Sequence, residues 1–286
     1  MAIPTSSKRI WYSIRYWIDL IYTQLLDRPY RAGKVLGKRY VVERCLGMGS
    51  YGISYLCRDQ QTGQPCVVKQ VRPSKRRGQK GFPIFEYETS ILQQLQHPAI
   101  PRLYQKFSQR GHWFFAMEYM QGTNLEDALF ETDLRYSERQ ALQLIRDLLE
   151  IVAYVHDQRV VHRDVRIPNV ILQDGQLKLI DFGLARRLGD RPTQVAEDLR
   201  DYVVEKQIKR EVEFRSDFYS MGHFLLFLLY TTFESSGEEE RSWEEELNLH
   251  PATKTLLKRM LQLQSPHFAN AAELATALDE AIRAAE

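Results

Sequence analysis

The first residues whose type and spacing could do chemistry are Gly47, Gly49 and Gly52, which form the pattern G-x-G-x-x-G. Residues 53–57, which follow, are β-branched, aromatic or apolar around one serine, so they predict a strand. A dinucleotide-binding fingerprint would open a helix at this point. The glycines are therefore predicted to lie at the tip of a hairpin, where the missing side chains let backbone N–H groups approach an anionic ligand. A plain structural turn is the alternative that this pattern leaves open.

A lysine, Lys69, ends the next apolar run, seventeen residues after Gly52. A charge at the end of an apolar strand is costly unless it is paired. Glu88 lies in the helical stretch that follows and is the predicted partner. Two solvated surface charges are the alternative.

Two further motifs stand in the second half of the chain. Residues 161–169 contain His162-Arg163-Asp164 and, five positions later, Asn169, and a predicted strand over residues 177–180 runs into Asp181 of the triplet Asp-Phe-Gly. With the glycines and Lys69 in this order, the sequence resembles the eukaryotic-like (Hanks-type) serine/threonine protein kinases, in their short single-domain bacterial form. The resemblance covers about residues 40–285.

The resemblance implies a role for each motif residue in a transfer of the ATP γ-phosphoryl group to a protein hydroxyl. Lys69 would hold the α- and β-phosphates, and Glu88 would hold Lys69. Asp181 would bind the bridging Mg²⁺ and Asn169 a second one, because hard cations take oxygen ligands. Mn²⁺ is the alternative metal. Asp164 would orient the substrate hydroxyl and accept its proton.

The resemblance also implies contacts with the rest of the nucleotide. Backbone groups of Glu118 and Met120 would meet adenine in the segment that joins two lobes, and Met117 would flank the pocket. The phosphates would lie against the glycine loop, formed by Gly47, Gly49, Ser50 and Gly52.

The resemblance also implies a stack of side chains that is typical of the family. Asp217 would lie at its base, on a buried helix that anchors the catalytic loop. The stacked residues would be Leu92, Leu103, His162 and Phe182. An intact stack favours an active enzyme.

The sequence departs from the family pattern at several positions. Arg166 stands where serine/threonine kinases carry a lysine, which keeps the positive charge but changes the donor geometry. The A-P-E motif is missing, and Val203-Val204-Glu205 is its nearest equivalent. We hypothesise that Arg166 pairs with Asp198, which lies near the position of the usual threonine. Thr193 is the candidate for phosphorylation, and a loop stabilised by its own charges without modification is the alternative. The arginine that would pair with the A-P-E glutamate is also absent, since Ala269 stands at its position.

The elements that must position these residues form a β-rich part followed by a helical part. Short β-branched runs fill residues 40–120, with one helix predicted from about Phe85 to Leu95. Helical periodicity follows over residues 137–157, 216–231, 251–263 and 270–285, with short strands around 160–180. This pattern predicts an α+β, bilobal fold, with a small lobe over residues 39–120, a larger helical lobe over residues 121–286 and a cleft between them.

Composition and charge restrict the class of protein further. The 286 residues carry a net charge of +2, too small to indicate nucleic-acid binding, and we expect no nucleic-acid partner. Three cysteines without metal-ligand spacing predict neither a disulfide framework nor a zinc site, and are typical of a reducing cytoplasm. No secretion signal or membrane span is predicted. We therefore expect a cytoplasmic protein or one peripheral to a membrane.

An N-terminal extension over residues 1–38 stands apart from this pattern. Residues 1–39 carry eight basic side chains against two acidic ones, a net charge of +6. Apolar residues recur at helical spacing between residues 10 and 25, and the stripe over residues 8–26 is rich in aromatic residues, which suits an interfacial helix on anionic lipid. A helix packed on the small lobe or against a second copy of the chain is the alternative.

Three functions are open on the sequence alone. A protein kinase, with serine or threonine favoured over tyrosine as acceptor and an unidentified protein substrate, accounts for the complete motif set. A kinase-fold module that binds nucleotide with little turnover would account for Ser54 and Val67, which replace a valine and an alanine expected beside adenine. A small-molecule kinase would account for the missing A-P-E motif.

Overall fold

The computed structural model describes residues 26–49, 51–78, 81–131, 134–190, 208, 211–234 and 241–285. The aromatic stripe of residues 8–26 therefore lies outside the described residues, apart from Leu26. The chain divides into two compact units, and each is described by itself. The first unit runs to Ser90 and includes Arg102–Tyr119, and the second contains Ile91–Pro101 and the chain from Met120 onward.

The first unit is built on one antiparallel sheet of six strands in the order β1-β2-β3-β4-β6-β5. At the start of β2 and along most of β3, buried side chains alternate with less buried ones, so one face of each strand contributes to the core. The strands are β1 (Val35–Leu36), β2 (Tyr40–Met48), β3 (Gly52–Asp59), β4 (Pro65–Val71), β5 (Leu103–Gln109) and β6 (His112–Glu118).

The core of the first unit lies on one face of this sheet, around buried Tyr40, Tyr55 and Phe114. Tyr30, from the segment before β1, packs against the same cluster. After a 3-10 turn at Pro73–Gly78, helix α1 covers Gly81–Gln94. It begins four residues earlier than predicted, because Pro83 falls in the first turn, where the missing N–H has no helical partner to lose.

The second unit is mainly helical. Helix α3 begins with a capping box in which Ser137 and Gln140 satisfy each other's backbone N–H groups. Its buried face packs against α4 and α7. The helices are α2 (Leu125–Glu131), α3 (Glu138–Asp157), α4 (Phe214–Tyr230), α5 (Trp243–Glu246), α6 (Pro251–Met260) and α7 (Ala271–Ala284). The four helices predicted after residue 136 are confirmed, with ends that differ by three residues or fewer.

Two small sheets complete the second unit and position its loops. β7 (Thr123–Asn124), β9 (Val170–Gln173) and β10 (Gln176–Leu179) form one antiparallel sheet, and β8 (Val160–Val161) pairs with β11 (Arg186–Arg187). The Ile180 N–H donates to the Asn169 carbonyl oxygen at 2.9 Å, so the loop before β9 lies against the chain that leaves β10.

A β-rich unit with one main helix and a larger helical unit confirm the α+β fold class that the sequence predicts. Among the described residues, no helix has both the length and the hydrophobicity needed to cross a membrane.

Candidate active site

Lys69 and Glu88 form an ion pair within the first unit. Lys69 lies on β4, Glu88 on α1, and Lys69 Nζ is 2.6 Å from Glu88 Oε1. Their side chains are 15% and 7% exposed. A pair this buried cannot rely on water to solvate either charge, so each group holds the other in its charged form. The predicted pairing is confirmed.

The glycine loop closes the β2–β3 hairpin, as the sequence predicts. Met48 pairs with Ile53 across the hairpin, and the Gly49 N–H donates to the Gly52 carbonyl oxygen at 2.9 Å. A Cβ on Gly52 would lie 3.0 Å from Lys69 Cε and 3.2 Å from Lys69 Cγ. Glycine at position 52 therefore leaves room for the Lys69 side chain to extend toward Glu88. Ser50 lies outside the described residues.

The segment predicted to meet adenine follows β6. Val67 on β4 pairs with Met117 on β6, and the Glu118 N–H donates to the Arg102 carbonyl oxygen at 2.9 Å. That bond occupies the N–H of Glu118 within the sheet. Met120 is buried, and the chain passes from the first unit to the second between Tyr119 and Met120. The roles of Glu118 and Met120 toward a nucleotide stay predictions.

Asp164 lies in the loop after β8, where several groups hold its carboxylate. Asn169 Nδ2 donates to Asp164 Oδ2 at 2.8 Å and to its carbonyl oxygen at 2.9 Å. Arg166 Nε lies 3.1 Å from Asp164 Oδ1. Burial raises the pKa of Asp164, while Arg166, His162 and Asn169 oppose that rise and Asp181 adds to it. A carboxylate with a raised pKa is a better proton acceptor than a free aspartate.

Arg166 therefore contacts Asp164 in the structure. The partner hypothesised for Arg166, Asp198, lies outside the described residues, as do Thr193 and residues 203–205. The Arg166–Asp198 pairing stays a prediction.

Asp217 on α4 holds the backbone at the start of the loop that carries Asp164. Its Oδ2 accepts the His162 N–H at 2.8 Å and its Oδ1 accepts the Arg163 N–H at 2.7 Å, while Nε2 of His156 lies 2.8 Å from Oδ2. The side chain is fully buried. Burial alone would raise the pKa of Asp217, but the hydrogen bonds and charge interactions with the two histidines lower it, so the group is a carboxylate.

Arg163 and Asp181 have a backbone conformation that non-glycine residues seldom adopt. The φ angles of Arg163 and Asp181 are +65° and +62°. Such conformations persist only where surrounding contacts fix them. At Arg163 the bond to Asp217 does so, and at Asp181 the carboxylate Oδ1 accepts the Gly183 N–H at 3.2 Å. These hydrogen bonds therefore hold the backbone at Arg163 and Asp181 in a conformation that would otherwise be unfavourable.

His162 and Phe182 form the part of the predicted stack that the second unit contains. Their rings meet edge to face with centroids 4.6 Å apart, and both are buried, as is Leu92. His162 Nδ1 accepts the Asp164 N–H at 3.2 Å, and burial lowers the pKa of His162. Leu103 belongs to the first unit, on β5, where it is partly buried.

Comparison with known proteins identifies the fold and the family. A model of the protein kinase domain matches residues 40–281 of this chain. The chain belongs to the protein kinase family.

Two relatives of known name agree with this assignment, and a solved structure agrees with the fold. "Probable serine/threonine-protein kinase YbdM" of Bacillus subtilis is 38% identical over 266 residues, which are 93% of this kinase and 98% of the relative. Serine/threonine-protein kinase PknA of Nostoc is 28% identical over 86% of this kinase, which spans 48% of that relative. The crystal structure of the Mycobacterium tuberculosis PknI kinase domain, 20% identical, matches with a TM-score of 0.64 over 88% of this kinase and 99% of that chain.

Family membership makes this chain an ATP-dependent protein kinase, and kinases of this family use ATP with a divalent metal. The residues present in the second unit fit such a metal. Asn169 commits its amide nitrogen to Asp164, which leaves the amide oxygen as the free end of that side chain, and Asp181 supplies carboxylate oxygens. Both are oxygen donors of the kind that Mg²⁺ prefers.

Two further residues, which could not be predicted from the sequence motifs, position the loop that carries Asp164. His156 shares Asp217 with the loop and stacks on Phe214 at 4.3 Å between centroids. Asn124 Nδ2 donates to the Pro168 carbonyl oxygen at 2.6 Å. The signal for Asn124 was its place just before α2, where an asparagine caps a helix through the Glu126 N–H. Nothing in the local sequence indicated the second hydrogen bond of Asn124 or the partner of His156.

Proposed function

We propose that this kinase phosphorylates serine or threonine hydroxyls of a protein substrate, with Asp164 as the base and Lys69 as the phosphate-binding cation. The observation that carries the proposal is the way Asn169 holds Asp164, by its carboxylate and its backbone carbonyl at once. A base held at two points has one orientation, which general base catalysis needs. The printed names of the relatives supply the serine/threonine class.

In the proposed reaction, the substrate hydroxyl oxygen forms a bond to the γ-phosphorus as the bond from that phosphorus to the β–γ bridging oxygen breaks. The hydroxyl proton goes to the Asp164 carboxylate, and ADP leaves with the bridging oxygen. Lys69 holds negative phosphate oxygens, and Glu88 keeps Lys69 extended and charged.

Mg²⁺, when bound, would neutralise phosphate charge, and we propose Asp181 and Asn169 as the residues that hold it. Arg166, next to Asp164, supplies a positive charge where the phosphoryl group arrives. Gly47, Gly49, Ser50 and Gly52 are proposed to surround the phosphates, and Glu118 and Met120 to bind adenine through backbone groups.

The test is transfer of labelled phosphate from ATP and Mg²⁺ to dephosphorylated casein and to the kinase itself, followed by phosphoamino-acid analysis. We expect phosphoserine or phosphothreonine. Lys69→Met, Asp164→Asn and Asp181→Asn should each lower kcat/KM by about 10²-fold or more. Asp174→Asn is the matched control, because Asp174 is an exposed acid in the β9–β10 turn.

Other outcomes would contradict the proposal in distinguishable ways. Nucleotide-induced stabilisation without transfer would indicate a binding module. Transfer to amino-alcohols or sugars and to no protein would indicate a small-molecule kinase. Phosphotyrosine alone would refute the acceptor class, and full activity of Asp164→Asn would refute the base.

For the N-terminal extension we propose contact with an anionic membrane surface or with a second copy of the chain, on the basis of its charge and aromatic stripe. Partition onto anionic vesicles, compared for the full chain and a chain without residues 1–38, tests the first. The concentration dependence of molecular mass tests the second. We propose a cytoplasmic location, and retention of the full chain by membranes would indicate a membrane-peripheral one instead.

A further inference from the structure

An aspartate that precedes the residues matched by the kinase family is buried in the first unit. Asp27 is 2% exposed, and its carboxylate accepts three hydrogen bonds, one of which is also an ion pair with Arg72. Arg72 Nε donates to Oδ2 at 2.8 Å, the Ser74 N–H donates to Oδ1 at 2.8 Å, and Ser74 Oγ donates to Oδ2 at 2.6 Å. The segment before β1 is thereby joined to the chain that leaves β4.

The other end of Arg72 reaches the glycine loop. Its Nη1 donates to the Gly49 carbonyl oxygen at 3.1 Å, and its backbone N–H donates to the Tyr51 carbonyl oxygen at 2.9 Å. One residue thus binds two carbonyl groups of the loop and, through its guanidinium, a buried carboxylate.

We propose that Arg72 is a positioning residue for the glycine loop and that Asp27 aligns it, so that the segment before the kinase domain sets the affinity for ATP. This inference rests on the proposed function, in which the loop binds the phosphates.

The physical reason lies in the direction of the loop's carbonyl groups. A carbonyl oxygen carries partial negative charge and repels phosphate, whereas the N–H groups of a glycine loop attract it. Bonds to Arg72 commit the Gly49 and Tyr51 oxygens to the protein, so neither can turn toward a phosphate without losing a hydrogen bond. A loop fixed in advance loses less entropy when ATP binds.

Asp27 matters because an arginine side chain has many rotamers. The carboxylate accepts the hydrogen bond from Arg72 Nε. This bond fixes the orientation of the planar guanidinium, whose Nη1 donates to the Gly49 carbonyl oxygen. Burial alone would raise the pKa of Asp27, but hydrogen bonds from Ser74 and Arg72 lower it, which keeps the group charged at neutral pH.

The segment that carries Asp27 is itself anchored to the sheet. The Tyr30 N–H donates to the Tyr55 hydroxyl at 3.3 Å, and the Tyr30 ring lies 5.8 Å from the Tyr55 ring and 6.4 Å from the Phe114 ring. The Gly33 N–H donates to the Val42 carbonyl oxygen at 2.8 Å. The segment that positions Asp27 against Arg72 is therefore itself held in place by the sheet.

A plain structural ion pair is the competing explanation, and the same sheet supplies a matched control. Arg39 and Asp59 form a two-point pair at 2.7 and 2.6 Å, with Asp59 side chain 6% exposed, between the start of β2 and the end of β3. These residues lie at the ends of β2 and β3 opposite the glycine hairpin. If the Arg72–Asp27 pair has a purely structural role, breaking either pair should have a similar effect on KM for ATP.

The experiment compares Arg72→Met, Arg72→Lys and Asp27→Asn with Asp59→Asn, in the full chain. For the Arg72 and Asp27 variants we expect KM for ATP to rise about three- to tenfold. We expect their kcat and their KM for casein to change less than about twofold. Arg72→Lys should show a smaller rise than Arg72→Met, because an ammonium keeps the positive charge and can reach one of the two acceptors, although not both. Asp59→Asn should lower the melting temperature and leave KM for ATP unchanged.

Amide hydrogen exchange in the nucleotide-free protein gives an independent result. Exchange of the Gly49 and Gly52 amides should become faster in the Arg72 and Asp27 variants and stay unchanged in Asp59→Asn. In the double variant, the effect of Asp27→Asn on KM should vanish once Arg72 is methionine, because Asp27 acts through Arg72.

Unchanged KM and exchange in Arg72→Met, or equal changes in Asp59→Asn, would overturn the inference. If Arg72→Met does not fold, Arg72→Lys decides. If the wild-type chain transfers no phosphate, the proposed function fails, and the exchange comparison still decides whether Arg72 holds the loop.

Discussion

The two units hold their functional charges in different ways. In the first unit, Lys69 is held by the side chain of Glu88, from a strand to a helix. In the second, the loop of Asp164 is held by a buried carboxylate, Asp217, that binds backbone N–H groups of His162 and Arg163. One arrangement joins side chain to side chain, and the other joins side chain to backbone.

This difference decides which contacts can be replaced. A side-chain pair can be removed as a whole, and an apolar pair can then fill the space at little cost in stability. Every residue except proline keeps its backbone N–H group, so the loss of the acceptor leaves buried donors without this partner. We therefore expect the stability of the second unit to depend strongly on Asp217. We expect that of the first unit to depend on the Lys69–Glu88 pair, which can be replaced.

The largest effect is expected from Asp217→Asn. One amide oxygen cannot replace a carboxylate that serves His156 and two backbone donors, so unfolding free energy should fall by about 3–5 kcal/mol. Urea denaturation measures this, with Asp157→Asn as the exposed control on α3, expected to change it by less than about 0.5 kcal/mol. His156→Phe should not rescue the variant. Rescue would show that the backbone donors are not what depends on Asp217.

A smaller loss of stability is expected at the Lys69–Glu88 ion pair. This pair also tests whether side-chain contacts can be replaced where backbone contacts cannot. Lys69→Met leaves Glu88 buried without this partner and should cost about 1–3 kcal/mol. Adding Glu88→Leu should recover most of that loss while phosphate transfer stays about 10²-fold below wild type. Denaturation and kinetics on the three proteins measure both quantities. A double variant less stable than Lys69→Met would break the comparison.

Gly52→Ala tests the space that the Lys69 side chain needs. The added methyl group would meet Lys69 Cε at 3.0 Å and the Gln70 carbonyl oxygen at 3.3 Å, so Lys69 must shift. We expect KM for ATP to rise about three- to tenfold with little change in melting temperature. An added Cβ would meet nothing within 4 Å at either Gly47 or Gly63, but Gly63 has a φ of +71°, which strains an alanine. Gly47→Ala is therefore the better control, because it reduces backbone freedom without a steric clash. Equal effects of Gly47→Ala and Gly52→Ala would contradict the steric account.

The smallest effect concerns pH. The rate should fall as pH drops through the pKa of Asp164, which burial raises above its ordinary value of 3.8 and Arg166 lowers. Arg166→Met removes the opposing charge, so the pKa rises further and the acid limb of kcat/KM moves to higher pH, by about 0.3 to 1 unit. Arg166→Lys keeps the charge and should leave the limb near its wild-type position. A shift to lower pH in Arg166→Met would show that Asp164 is not the titrating base.

Much of the fold followed from local pattern. Helices α3, α4, α6 and α7 repeat apolar residues at helical spacing, and the hairpin of the glycine loop is flanked by β-branched runs, so both could be predicted without knowing the partners. The start of α1 could not, since a glycine and a proline there look like helix breakers until the first turn is in place. The roles of Glu118, Met120 and Ser50 toward a nucleotide stay predictions.

By itself, the sequence determined the family, the order of the elements and the identity of the charged groups, because motif spacing and periodicity are properties of the chain. Only the tertiary structure decided which groups hold one another: Asp217 with the catalytic loop, Asn124 with Pro168, and Arg72 with both Asp27 and the glycine loop. The physical reason is that a hydrogen bond requires an acceptor within about 3 Å of its donor. Residues 45 positions apart along the chain meet that condition only after the sheet and the helices have packed.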